Sequence, residues 1–342
     1  MLSVKLGNTG IIANKNGFGA LPIQRIDEES AIKLIHKALD GGVNFFDTAR
    51  AYSDSEMKLG KALEGIDRST YYIATKSGAK TGAQVLEELD TSLKLLKTDY
   101  IDIYQLHCAP KCFRPGEEDG VYDAVLKAKK EGKIRHIGIT AHLLNVALEA
   151  IESGLYETLQ FPFAYISSDK EIALAKKCQD AGMGFLGMKG LAGELLTNAK
   201  LCYWFAAQYE NVLPLWGVQR ESELEEFLSF QENPPVMDDE MKAIYEKDLK
   251  ELAGDFCRGC GYCMPCPKGI KINNCARISQ LLRRSPSSSW LSEEWQQEMA
   301  KIKECLHCGL CASKCPYGLD TPKLLEKNLE DYENVLAGRV KC

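Results

Sequence analysis

Asn44-Phe45-Phe46-Asp47-Thr48-Ala49-Arg50-Ala51-Tyr52 is the stretch on which the reading of this 342-residue chain turns. Val43, Phe45 and Phe46 make a short apolar run able to bury as a strand, and Gly41-Gly42 end the helical pattern before it. Asp47 to Tyr52 continue beyond the strand's carboxyl end, so a carboxylate and a phenol arrive together at its tip. In a barrel of alternating strands and helices, chemistry sits at that end of the strands.

Working outward, two further runs end the same way. Tyr71-Tyr72-Ile73-Ala74-Thr75-Lys76 closes on an amine and Tyr100-Ile101-Asp102-Ile103-Tyr104-Gln105-Leu106-His107 on an imidazole. Upstream, residues 1–23 read as a short polar lead-in followed by a glycine-rich strand end, Asn16-Gly17-Phe18-Gly19-Ala20-Leu21-Pro22, where missing side chains allow close backbone approach. Apolar spacing predicts helices over Asp27–Leu39, Glu56–Leu63, Thr81–Leu96, Val121–Lys130, Leu144–Ile151, Ile172–Gln179, Lys200–Gln208 and Glu221–Phe230. Between the later helices, strands are expected over Ile134–Thr140, Thr158–Phe163, Gly184–Met188 and Val212–Val218. Eight such units in roughly 230 residues suit a parallel (β/α)8 TIM barrel. A doubly wound sheet is the alternative, but no Gly-x-Gly-x-x-Gly turn follows the first strand.

Phe-Asp-Thr-Ala, a Tyr five residues after the Asp, Ala-Thr-Lys-Ser and Gln-Leu-His together resemble the catalytic tetrad pattern of the aldo-keto reductases over about the first two thirds of the chain. The resemblance implies an NAD(P)-dependent oxidoreductase with Tyr52, Asp47, Lys76 and His107 as its catalytic residues. A phenol protonates a carbonyl oxygen well once its pKa, about 10 in water, is brought toward neutrality. Lys76 is expected to do this by favouring phenolate, Asp47 to hold Lys76, and His107 to orient and polarise the carbonyl. An electron-transfer protein whose barrel acts as a docking platform without nicotinamide turnover is the alternative.

The same resemblance carries cofactor contacts onto Gly19 and Asp47 beside the nicotinamide, and onto Thr140 and Gln160 at its carboxamide. Met188 stands where many relatives stack an aromatic, with Lys189 beside it, and Ala141 where Asn is common. Gln219-Arg220 and the helix start behind them resemble the adenosine-phosphate loop, with Phe227 in place of a common Asn. A helix N-terminus and an Arg suit a phosphate, so a modest preference for NADP over NAD is expected, opposed by the charge of Glu223.

A formal charge of -6 argues against a nucleic-acid surface. A small-molecule carbonyl or alcohol substrate is expected instead. With no long apolar run and no apolar secretory core, neither a membrane nor an export route is expected, and the chain reads as cytoplasmic. Of its fourteen cysteines, eight fall in two tight clusters after Pro234-Pro235 and a helical stretch at Asp238–Leu252, which places a domain boundary between a barrel at 1–234 and a second, mainly helical domain at 235–342.

Cys305-x2-Cys308-x2-Cys311-x3-Cys315-Pro316 has bacterial ferredoxin spacing, in which three thiolates grip one [4Fe-4S] cluster and the fourth reaches another. Cys257-x2-Cys260-x2-Cys263-x2-Cys266-Pro267 is one residue shorter before its last Cys, and resembles the tail of one branch of aldo-keto reductases. A zinc ribbon, the rival reading, wants two pairs roughly 15 to 20 residues apart. Two [4Fe-4S] clusters are expected, Cys257, Cys260 and Cys263 sharing one with Cys315, and Cys305, Cys308 and Cys311 the other with Cys266. A ferredoxin- or flavodoxin-type redox partner follows. Cys108, Cys112, Cys178, Cys202, Cys275 and Cys342 lack ligand spacing; Cys275 is the nearest substitute thiol, and Cys108 and Cys112 neighbour His107.

Overall fold

A computed structural model describes residues 2–193, 195–252 and 256–342. The chain opens with an antiparallel hairpin, β1 (Ser3–Lys5) and β2 (Ile12–Asn14). Val4, Leu6, Ile11 and Ala13 from it are buried against Phe45, Ala74, Ile103, Leu186 and Leu213 of the core. The polar lead-in, in which the sequence shows a hairpin only weakly, is thus a structural plug. Its signal was the period-two alternation of small apolar residues, too short to stand out from the surrounding polar ones.

The next eight strands are parallel: β3 (Gly17–Gly19), β4 (Phe45–Asp47), β5 (Tyr72–Ser77), β6 (Ile101–Leu106), β7 (Ile134–Thr140), β8 (Thr158–Pro162), β9 (Gly184–Met188) and β10 (Val212–Gly217). They close as β10-β3-β4-β5-β6-β7-β8-β9. Between and after them run α1 (Glu28–Asp40), α2 (Ser55–Ala62), α3 (Gly82–Leu95), α4 (Val121–Lys130), α5 (Leu144–Ser153), α6 (Asp169–Asp180), α7 (Ala199–Ala207) and α8 (Glu221–Glu232). This is the expected (β/α)8 barrel, and each strand except the short β3 and β4 is long enough to cross the core.

Local chemistry explains where elements begin. Asp27 caps α1 by accepting from the Ser30 N–H at 2.8 Å. At α6, Ser168 and Glu171 form a reciprocal capping box, so the helix starts at Asp169, three residues before the apolar spacing begins at Ile172. Ser-Asp-Lys-Glu was legible as a cap, and hydrophobic periodicity alone misses it. Register then brings the tips together: Asp47 pairs with Ala74 across β4 and β5, and Lys76 with Gln105 across β5 and β6.

The chain divides into two compact units, Met1–Gly190 with Ala199–Met237, and Leu191–Asn198 with Asp238–Cys342. Residues 191–198, inside the barrel domain of the sequence reading, group with the second unit, where Arg277 donates to Gly193 O at 2.9 Å and Arg284 to Leu195 O at 3.1 Å. That unit contains α9 (Asp239–Glu251), α10 (Ile272–Cys275), α11 (Ile278–Arg284), α12 (Ser287–Trp290), α13 (Glu293–Ala300), α14 (Leu310–Ser313) and α15 (Thr321–Leu336). Arg284 also ties α11 to Asp248 of α9 at 2.7 Å. No helix among the described residues is long and apolar enough to cross a membrane.

Candidate active site

Asp47 ends β4, Lys76 lies near the end of β5, and His107 follows directly on β6. Tyr52 lies five residues beyond Asp47, in the loop before α2. Lys76 Nζ donates to Asp47 Oδ2 and to Thr48 O, both at 2.6 Å, and stands 5.1 Å from the centroid of the Tyr52 ring. The Tyr52 and His107 rings meet edge to face with centroids 5.8 Å apart. The four side chains singled out by sequence therefore converge on one place.

Their charge states differ in one respect from expectation. Burial pushes the Tyr52 phenol above its ordinary pKa; Lys76 pulls the other way, and Asp47 adds to the rise. Lys76 does favour phenolate, but its charge is already compensated by Asp47, so desolvation prevails. Burial alone favours a neutral amine at Lys76, yet Asp47 and Tyr52 together outweigh it and hold the ammonium above its usual range. Burial likewise raises the Asp47 carboxyl against the pull of Lys76 and two amides. For His107, burial and then Lys76 push the imidazole down to about 3, leaving it neutral near pH 7.

Two supporting groups escaped the sequence reading. Gln105, fully buried on β6, donates through Nε2 to Asp47 Oδ1 at 3.2 Å, opposite the Lys76 contact. Glu56, buried at the start of α2, accepts from Thr75 Oγ1 at 2.7 Å and pairs with Arg50, whose backbone N–H donates to Lys76 O at 3.0 Å. Ser55 bonds Thr48 Oγ1 and Ala20 O, each at 2.8 Å. The loop carrying Tyr52 is thereby pinned to β3 and β5. A Glu four residues after a Tyr signals nothing by itself, since only the fold turns it inward.

The expected cofactor residues line the same end. Gln160 Nε2 donates to Asp47 Oδ2 at 3.3 Å, while its buried Oε1 has no hydrogen-bond partner among the described residues. Such an orphaned acceptor fits a carboxamide N–H. Thr140, at the end of β7, accepts the Cys108 N–H at Oγ1, 2.7 Å away. Met188 ends β9, and Lys189 follows with a φ of 58°. His142, beyond Ala141, is buried; burial, then Lys189 and His107, push its imidazole well below the ordinary value. Gly19 ends β3 so close to β10 that a Cβ would lie 3.2 Å from Trp216 O.

At α8 the side chains pair with one another. Glu223 Oε2 accepts from the N–H groups of Gln219 at 3.0 Å and Arg220 at 3.2 Å, and Oε1 from Arg220 Nε at 2.8 Å. A carboxylate of the chain itself thus takes two helix-start N–H groups and the Nε of the guanidinium that a phosphate would use. Phe227 is buried, its ring stacked on Trp216 with centroids 4.4 Å apart, so it packs the core. Of the thiols near His107, Cys108 acts electrostatically on both Tyr52 and Lys76, and Cys112 is buried toward Ser153 and Tyr156.

In the second unit Cys257, Cys260, Cys263 and Cys315 line one cavity. Cys266, Cys305, Cys308 and Cys311 line another, which Cys263 also borders. Besides the cysteines, the polar side chains are Arg258, Tyr317 and Thr321 in the first lining and Lys268 in the second, with no carboxylate in either. A thiolate-ligated cluster carries net negative charge, so this donor set and these cations fit it. Cys275 is fully buried and borders neither cavity.

Comparison with known proteins matches two family models to the chain. Residues 15–203 match the model of the aldo/keto reductase family, and residues 256–320 that of a 4Fe-4S dicluster domain. An L-galactose dehydrogenase of Arabidopsis thaliana is 34% identical over 227 residues, 60% of this chain and 70% of the relative. An NADH-specific methylglyoxal reductase of Escherichia coli K12 is 30% identical over 230 residues, 58% of this chain and 70% of the relative. Among solved structures, an aldo-keto reductase of Bacillus halodurans in its holo form superposes with a TM-score of 0.63 at 22% identity, covering 74% of this chain and 97% of that one.

Proposed function

The chain belongs to the aldo/keto reductase family, and from that premise we propose that it reduces a small carbonyl compound, or oxidises the corresponding alcohol, at Tyr52. The observation that carries this reading is the convergence of Tyr52, His107 and the 2.6 Å Lys76–Asp47 pair on three adjacent strand ends. A bound reduced nicotinamide supplies the hydride.

Tyr52 stays a protonated phenol at neutral pH, since burial raises its pKa, and gives its proton to the carbonyl oxygen as negative charge develops there. Lys76, held by Asp47, stabilises the resulting phenolate across the short distance to the ring. Neutral His107 donates a hydrogen bond toward the carbonyl without competing as an acid. Gln105 and Gln160 hold Asp47 from its other lone pairs. Gln160 Oε1 and Thr140 would hold the nicotinamide carboxamide, with Gly19, Met188 and Lys189 near the ring and Gln219 and Arg220 at the adenosine end.

The expected NADP preference counted Arg220 as available to a 2′-phosphate. With Glu223 on Arg220 Nε and on two backbone donors, a 2′-phosphate has to displace a carboxylate, whereas a ribose 2′-hydroxyl is compatible with one. NADH is therefore the favoured cofactor. In the second unit Cys257, Cys260, Cys263 and Cys315 would hold one [4Fe-4S] cluster and Cys305, Cys308, Cys311 and Cys266 another, which would supply single-electron transfer.

Tyr52→Phe tests the active-site assignment. Carbonyl reduction is expected to fall about 10²- to 10⁴-fold with cofactor affinity nearly unchanged. Full turnover by the variant on a working substrate removes Tyr52 from its role.

A further inference from the structure

We propose that Arg258 and Arg277 tune the cavity lined by Cys257, Cys260, Cys263 and Cys315 for reduction, their charges favouring the electron that burial of this site opposes. The inference rests on the reading that both cysteine-lined cavities hold clusters.

The two cysteine runs are near-repeats, so their ligands alone give no reason for unequal reduction. Their surroundings differ. Residues 256–264, which supply three of the four cysteines to the first cavity, are all buried or half-buried, whereas Cys308 of the second is exposed. Arg258 lines the first cavity, its guanidinium 4.3 Å from the Tyr317 ring centroid and 5.3 Å from that of Phe256. These rings hold the cation without a countercharge, and among the described residues no carboxylate pairs with it. Tyr317 follows Cys315-Pro316, so the run that supplies the fourth cysteine also fixes the cation. The second cavity has a single cation in its lining, Lys268, and Glu304 stands 3.9 Å from its Nζ.

Arg277 reaches the first cysteine run across Gly259. Its Nε donates to Asn273 O at 3.1 Å, and Cys257 Sγ lies 3.9 Å from the same oxygen. Its Nη1 donates to Gly193 O at 2.9 Å. A Cβ on Gly259, whose φ is 63°, would lie 2.8 Å from Arg277 Cζ, so the missing side chain lets the guanidinium close on the ligand loop. The Gly259 N–H donates to Cys257 Sγ at 3.4 Å. Burial raises the Cys257 thiol, while that N–H and Arg277 act against it, the direction that stabilises a thiolate.

Charge gives the sign. A [4Fe-4S] cluster on four thiolates is an anion that becomes more negative by one on reduction, so desolvation opposes the electron and a neighbouring cation favours it. Hydrogen bonds to the sulfur act in the same sense as the cation. Reduction adds one electron from the reductant; no bond forms or breaks and no proton moves.

The test uses the full chain with reconstituted clusters, titrated with dithionite through mediator dyes and followed by electron paramagnetic resonance. Paramagnetic shifts of labelled cysteine β-carbons assign each potential to its cysteine run. In Arg258→Gln and in Arg277→Gln the equilibrium constant for reduction at Cys257, Cys260 and Cys263 is expected to fall about tenfold, equivalent to about 59 mV for one electron. The potential at Cys305, Cys308 and Cys311 is expected to move much less. Arg258→Lys and Arg277→Lys keep the charge and should restore most of the loss, which a purely structural role of either arginine does not give. The proposal is overturned if both glutamine variants with full iron keep the parent's potentials, if both clusters shift equally, or if the lysine variants fall as far as the glutamine ones. Should Arg277→Gln fail to hold iron through loss of its two carbonyl contacts, Arg258→Gln, whose parent side chain rests on ring faces, decides. Absence of iron and sulfide from the parent itself defeats the cluster reading, a distinct outcome.

Discussion

His107 illustrates how a residue's chemistry is set by where the backbone leaves it. An ordinary imidazole binds its proton near pH 6.5, whereas burial and Lys76 bring this one down to about 3. Between those values the unfolded chain binds more protons than the folded one, so stability falls as pH drops from about 6.5 toward 3 and is fully kept above that window. His107→Asn removes this term, and its urea-unfolding stability should decline less steeply over pH 6 to 4, by up to about 1 kcal/mol per pH unit. An unchanged slope means that His107 is not buried neutral. Tyr52 behaves differently because its shift is upward: the phenol needs no help to remain protonated at pH 7, and Lys76 matters for the phenolate that follows proton transfer.

The helices matter through their ends and contacts. In α8, Glu223 serves two purposes that sequence spacing cannot separate, capping the helix and holding Arg220. Glu223→Ala frees the guanidinium and both N–H groups, and the affinity ratio of NADPH to NADH should rise about tenfold, equivalent to about 1.4 kcal/mol. Fluorescence titration of both cofactors measures it, and an unaltered ratio shows that this carboxylate does not set the preference. In α2, Gly60 lies so near α3 that a Cβ would be 2.1 Å from Leu95 O, a backbone atom that cannot rotate away. Gly60→Ala should therefore destabilise the barrel by about 1–3 kcal/mol in spite of alanine's better helix propensity. Calorimetry distinguishes the two signs.

At the scale of the whole molecule, the second unit is a pseudo-symmetric pair in which each cysteine run completes the other's cavity. Anaerobic reconstitution should give about eight iron and eight sulfide per chain, as two four-iron clusters require. Crossed ligation makes a sharper prediction. Cys315→Ser should perturb the cluster held by Cys257, Cys260 and Cys263, and Cys266→Ser the one held by Cys305, Cys308 and Cys311. Selectively labelled cysteine β-carbons report this by paramagnetic shift. Perturbation within the mutated run itself contradicts the crossing.

The sequence alone determined the barrel, most element positions and the four convergent residues, because parallel strands buried on both faces and amphipathic helices leave period-specific patterns. Val121–Lys130, Ile134–Thr140 and Gly184–Met188 coincide with the observed elements to the residue. Motif spacing likewise carried the cysteine runs, since a ligand loop is a local object. Tertiary structure decided what depends on partners distant in the chain. It placed Val4 to Ala13 under the barrel, brought Gln105 and Gln160 onto Asp47, and turned Glu56 inward to hold Arg50. It also reversed the expected shift at Tyr52, because desolvation belongs to the surroundings of a group and is invisible in the residues beside it.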